Sequence, residues 1–195
     1  MDPKPLTIAA KSISVVFHPV VMLLITFFVV VSSGTTSSHS SYWWTAYAAI
    51  YLILLCLFIA WGVRRKLFTN LDVSDRTQRR YLYYVAAILS VVFTISLFIL
   101  KAPQSILIVT AAILGLVGAL GIVNRHIKAS GHMACVAVFS TTLIALYGIT
   151  AAPVLLLLPL MAWSRVTLGR HTIIETGIGA IIGCVTVLVV IAFTY

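Results

Sequence analysis

The sequence predicts an all-α fold: a polytopic bundle of six to seven transmembrane helices, forming one integral membrane domain over residues 1–195. Three observations predict it. Hydrophobic residues make up 62% of the 195-residue chain and charged residues only 9%, whereas soluble domains hold about 45–50% and about 25%. The mean hydropathy is +1.13. The apolar residues also gather into runs of the length that a hydrocarbon layer about 30 Å thick demands.

Seven such runs can be drawn, over residues 12–32, 43–63, 81–100, 104–123, 132–148, 151–164 and 172–194. The first begins near Ser12, is as long as a full span and is followed by no clear small-residue cleavage site, so it is expected to be a retained helix rather than a signal peptide. The second and fourth are clean apolar runs, and the third follows the basic stretch "RRKLFTNLDVSDRTQRR" (64–80). The fifth and sixth are short for a bilayer. Gly148 and Pro153 predict a tight turn between them, and Pro159 is placed to kink the sixth. Short helices are tolerable where their ends meet a polar pocket sunk below the headgroups. Cys56, Cys135 and Cys184 each lie inside an apolar run. An odd count without a CxxC gives no disulfide or zinc framework and reads as small packing residues.

Threading the segments alternately through a bilayer puts Lys4, Lys11, Arg64, Arg65, Lys66, Arg76, Arg79, Arg80, Arg125, Lys128, Arg165 and Arg170 on one side, with only Lys101 opposite. By the positive-inside rule that side is cytoplasmic. The net charge of +9 points to anionic headgroups or phosphate as partners. Nucleic acid is excluded as a partner, because no polar domain exists to dock on it.

The basic side also collects the chemistry. His132 opens the fifth segment, His171 opens the last, and Glu175 is the single acid inside a predicted span. Ionisable groups in that position are costly unless paired or solvated, which makes function the default hypothesis. His171 and Glu175 are four residues apart, so the carboxylate can hold one ring nitrogen and leave the other as a nucleophile. Arg165 and Arg170 precede that helix, and guanidinium forks together with a helix N-terminus suit a phosphate oxyanion. His132, after Ser130 and Gly131, is positioned to protonate a leaving alkoxide. The bland alternatives are a helix-stabilising His–Glu pair, arginines as headgroup anchors, and Ser130 as an ordinary helix cap. His18, before Pro19, and His39 read as structural.

These residues resemble the signatures of the type-2 phosphatidic acid phosphatase superfamily, the lipid phosphate phosphatases. "SRVTLGRHTIIE" fits SRxxxxxHxxxD through Ser164, Arg165 and His171, with Glu175 in place of the aspartate. "ASGH" is similar to PSGH, keeping Ser130, Gly131 and His132 behind Ala129. The first signature, KxxxxxxRP, is matched only by Arg79 or Arg80, without its proline and with Asp72 or Val73 where lysine stands. The layout looks like a compact bacterial branch of the superfamily, with "FHP" at Phe17, His18 and Pro19, DRxxR at Asp75, Arg76 and Arg79, and KxSxH at Lys128, Ser130 and His132.

The resemblance implies a phosphohistidine mechanism with no metal or other cofactor, in a bacterial or archaeal cell membrane. His171 is then the nucleophile, Glu175 its orienting acid and His132 the proton donor. Arg165, Ser130 and Gly131 hold phosphate oxygens, and Arg79, with Arg76 or Lys128, supplies the charge of the missing lysine. The expected substrate is a phosphomonoester or pyrophosphate of an anionic lipid, of the phosphatidic acid, phosphatidylglycerophosphate or polyprenyl phosphate class, and homo-oligomerisation stays open. Two other readings stand beside it. One is a catalytically weak or inactive relative that binds or moves anionic lipids. The other is a metal-dependent enzyme or transporter with His132, His171 and Glu175 as ligands, which the surrounding arginines would oppose.

Overall fold

A computed structural model describes residues 5–34 and 38–194 of the chain. Among these residues the regular structure is entirely helical: α1 (Pro5–Val16), α2 (Pro19–Gly34), α3 (Ser38–Arg64), α4 (Arg79–Ile99), α5 (Gln104–Val123), α6 (Gly131–Tyr147), a 3-10 segment (Gly148–Leu156), α7 (Leu157–Thr167) and α8 (Ile173–Thr194). Five helical stretches are long and apolar enough to cross a membrane, and the bent pair α1–α2 makes a sixth if it counts as one span. The all-α polytopic bundle expected from composition is the architecture found.

Two differences from the expected segments have local causes. The first run is not one helix. It breaks at Phe17 and His18 and bends by 40°, because Pro19 has no N–H to donate and its ring excludes the preceding turn; proline instead opens α2, where no N–H is needed. The fifth and sixth runs are joined by nine residues of 3-10 helix rather than by a tight turn. Gly148 there adopts φ +68°, a conformation open to glycine. Pro159 is the third residue of α7, inside the first turn whose N–H groups have no helical partner, so the helix tolerates it.

The chain divides into two compact units, Met1–Thr26 with Lys128–Tyr195, and Phe27–Ile127. In the second unit, Phe27, Val31, Trp44, Ala48, Phe93, Leu97, Ile106 and Val109 form a buried core, and α4 packs along α5. The loop 65–78 is knitted by its own polar side chains. Asp75 accepts from the Thr77 N–H and hydroxyl, Asn70 accepts from Ser74, and Gln78 accepts from the Thr69 N–H.

The first unit is built on a close pairing of α6 and α8. A Cβ on Gly179 would lie 2.4 Å from the Ser130 carbonyl oxygen, and one on Gly183 would lie 2.3 Å from that of Ala134. Both glycines are on α8 and form a GxxxG step, while α6 presents Ala134 and Ala137 against them. Such small-residue faces let backbones approach where lipid supplies no hydrophobic drive for association. Helix α1 packs on α7, where the Ser164 hydroxyl donates to the Ala10 carbonyl at 2.7 Å.

Gly183→Val is expected to lower stability by about 1–3 kcal/mol, the cost of overpacking a tight contact. Gly118→Ala in α5, where the new Cβ meets no described atom within 4 Å, is expected to be neutral or to stabilise by up to about 1 kcal/mol. Thermal unfolding of the two variants in the same detergent checks the contrast.

Candidate functional site

The polar cluster forms where α6 begins, α7 ends and α8 begins, all within the first unit. Three hydrogen bonds stitch the two loops together. Lys128 donates through Nζ to the Arg170 carbonyl at 2.9 Å, the Ser130 N–H donates to the Glu175 carbonyl at 3.1 Å, and His171 Nδ1 lies 3.1 Å from the Lys128 carbonyl. These bonds join Lys128, Ser130, Arg170, His171 and Glu175 directly, and Gly131 and His132 follow Ser130 in the chain.

Helix α7 stops in a way that places His171. Leu168 closes the helix, Gly169 adopts φ +62°, and the Arg170 N–H returns to the Arg165 carbonyl at 3.0 Å. This is the glycine-terminated helix end that reverses the chain while satisfying the last carbonyls. The His171 N–H points to the same carbonyl at 3.4 Å, so the backbones of Arg165 and His171 are tied.

His171 precedes α8 rather than lying on it, so its pairing with Glu175 is not the contact along one helix face that the spacing suggested. The pairing comes from a reciprocal cap. Thr172 Oγ1 accepts from the Glu175 N–H at 3.2 Å, and Glu175 Oε2 accepts from the Thr172 N–H at 3.1 Å, the two bonds of a capping box. The same Oε2 lies 3.1 Å from His171 Nδ1. Nδ1 thus faces two groups, a carboxylate and a carbonyl, that offer only lone pairs. It must carry the ring proton, which makes Nε2 the unprotonated ring nitrogen of neutral His171.

The other candidate groups of this unit are buried. Arg165 is 1% exposed, and its Nη1 donates to Ser14 Oγ on α1 at 2.7 Å. A guanidinium removed from water to this extent is costly unless its donors are met, and Ser14 meets one of them. Ser130 caps α6, accepting from the Met133 N–H at 3.4 Å, and is fully buried. The cap expected as the bland reading of Ser130 is therefore present. His132 is buried in the first turn of α6, and its ring meets that of His18 edge to face at 5.4 Å between centroids. His18, read from sequence as a structural residue without a partner, packs on the candidate proton donor.

The candidate arginines of the first signature belong to the second unit and serve its backbone. Arg79 is buried and donates from Nε to the Val73 carbonyl at 2.8 Å. Val73 sits at φ +44°, strained for a β-branched residue, so this bond pins a costly turn. Arg76 donates from Nη1 to the carbonyls of Arg125 and His126. Among the described residues no three His, Cys, Asp or Glu side chains gather as a metal-ligand set, so His132, His171 and Glu175 do not form one.

Sequence reasoning missed several contributors. Thr172 was legible as T-x-x-E before an apolar run, Gly169 as a glycine at a helix end, and Gly179 with Gly183 as GxxxG. Ser14 and Ala10 carried no signal, because only the packing of α1 on α7 brings them to Arg165 and Ser164. No protein-family profile, curated protein or solved structure matches the chain.

Nitrogen-15 NMR of histidine-labelled protein is expected to show neutral His171 as the Nδ1–H tautomer; an Nε2–H tautomer would contradict the geometry. Thr172→Ala removes the cap and is expected to cost about 1 kcal/mol. Glu175→Gln keeps an acceptor for the Thr172 N–H and is expected to cost less in the same unfolding assay.

Proposed function

We propose that this protein is a membrane-embedded phosphatase of lipid phosphates, a compact member of the type-2 phosphatidic acid phosphatase superfamily that works through a phosphohistidine. The observation that carries the reading is the His171 imidazole, fixed with Nδ1 protonated between Glu175 and Lys128 and therefore with Nε2 nucleophilic.

In the proposed reaction His171 Nε2 attacks phosphorus, and the bond from phosphorus to the lipid oxygen breaks. His132 gives its proton to the departing alkoxide, which leaves as the lipid alcohol. Glu175 stabilises the positive charge that the imidazole gains. Water, deprotonated by His132, then attacks the phosphohistidine; inorganic phosphate leaves and both histidines regain their starting states. Arg165 and Ser130, with the N–H groups opening α6, are the groups suited to the phosphoryl oxygens. Lys128, in the same unit, is the remaining candidate there for the charge that the first signature assigns to lysine. The substrate class is phosphatidic acid, phosphatidylglycerophosphate or a polyprenyl phosphate. The site faces the cytoplasm by charge asymmetry, in a bacterial or archaeal membrane.

A second reading has an observation in its favour. Arg76, Arg79 and Lys128 all donate to backbone carbonyls, an arrangement that serves the fold as well as it serves an anion. A relative that binds anionic lipids without hydrolysing them would retain such ties.

The deciding experiment is a phosphate-release screen over these three lipid classes with wild type and His171→Ala. Wild type is expected to release phosphate in the presence of a chelator and to be inhibited by vanadate. His171→Ala is expected to be inactive, and His132→Ala to lose about 10²–10⁴-fold in kcat, the range of a positioned acid. Full activity in His171→Ala would overturn the mechanism, and lipid retention without turnover would favour the second reading.

A further inference from the structure

The second unit holds a cleft of about 390 Å³ between α4 and α5 that the proposed reaction does not use. One end is basic: Arg76, Arg80 and Arg125 line it, and no carboxylate does. The other end is apolar, reaching Ala87, Val117 and Gly118. Arg80 to Ala87 and Arg125 to Gly118 are each about two helical turns, so the polarity changes along roughly 10 Å of helix. Both helices are of the length and composition that cross membranes. The cleft therefore runs from headgroup level toward hydrocarbon.

Asn124 adds a third feature. It lines the basic end, is 4% exposed, and its Nδ2 donates to the Arg76 carbonyl at 3.2 Å. That bond fixes the amide with Oδ1 as an acceptor, and Oδ1 is buried without a hydrogen-bond partner among the described residues. A buried acceptor left unmet costs about 1–3 kcal/mol. Arg76, by holding the Arg125 and His126 carbonyls, sets the end of α5 in place beside the cleft.

We propose that this cleft is a binding site for an anionic phospholipid with a polyol headgroup, of the phosphatidylglycerol type. The phosphodiester lies against Arg80 and Arg125, a headgroup hydroxyl donates to Asn124 Oδ1, and the start of an acyl chain lies along Val117 and Gly118. A free phosphate ester would use the arginines but leave the apolar end empty, so the occupant is a lipid. The site lies within residues 27–127 and does not depend on the phosphatase reading.

The test uses full-length protein carrying His171→Ala, which leaves phosphatidic acid uncleaved, in nanodiscs of phosphatidylcholine with a minor fraction of phosphatidylglycerol or phosphatidic acid, with retained lipid counted by native mass spectrometry. Phosphatidylglycerol is expected to be retained above phosphatidylcholine. It is also expected to exceed phosphatidic acid, which is anionic but has no polyol. Arg80→Gln and Arg125→Gln, at exposed positions, are each expected to reduce retention about fivefold. Gly118→Leu leaves every charge in place and fills the apolar end from a position where the Cβ has open space; it is expected to abolish the preference. Wild-type retention in Gly118→Leu, or displacement of the lipid by soluble glycerol phosphate at equal concentration, would overturn the lipid site. Equal retention of phosphatidic acid would overturn the role of Asn124.

Discussion

The close approach of α6 and α8 is the constraint on which the candidate site depends. With Gly179 and Gly183 on one helix and Ala134 and Ala137 on the other, the two backbones come nearer than any larger side chain would allow. In lipid this contact is favoured by packing rather than by release of water, so it requires small residues along the whole step. Its consequence appears at the helix ends. Only at that separation can the Ser130 N–H reach the Glu175 carbonyl, and that bond brings the start of α6 beside the start of α8. The histidines are placed by backbone contacts made elsewhere in the pair.

A second constraint follows from the low polarity around the cluster. Polar atoms there must find partners inside the protein, since an unmet group costs free energy on the scale of a lost hydrogen bond or more. The chain meets this requirement by giving single atoms several tasks. The Arg165 carbonyl ends α7 and also receives the His171 N–H. The Lys128 carbonyl receives His171 Nδ1 while its ammonium holds the Arg170 carbonyl. Such sharing ties the loops to each other and to the imidazole through several bonds.

Much of the bundle was legible because long apolar runs have few alternatives in a membrane. The run 104–123 coincides with α5, and 172–194 differs from α8 by one residue. Where the reading failed, the deciding interaction was either local backbone chemistry or a distant contact. Pro19 is visible in the sequence, yet the length of the apolar run outweighed it and hid the break at His18. Gly148 and Pro153 were read as a tight turn between the runs 132–148 and 151–164, whereas the chain takes nine residues of 3-10 helix over Gly148–Leu156. In the site, His171 and Glu175 were found through spacing. Ser14 on Arg165 and His18 on His132 were not, since each joins segments more than a hundred residues apart. Arg76 and Arg79 were counted as charge, and their hydrogen bonds show that donor geometry toward carbonyls is a separate use of the same side chains.

Glu175 illustrates how a departure from a motif can follow from the local fold. The signature that the segment resembles has aspartate at this position, and the extra methylene first reads as a defect in the pair with His171. In the structure one oxygen, Oε2, accepts from both the Thr172 N–H and His171 Nδ1. A capping box needs a side chain that reaches back three residues to the N–H of the capping residue, a span that Glu175 bridges. The longer acid thus joins the start of α8 to the orientation of the imidazole. Any motion that frays this first turn would also draw the carboxylate from the ring and leave Nδ1 to the Lys128 carbonyl, so the setting of His171 and the integrity of the helix end are coupled.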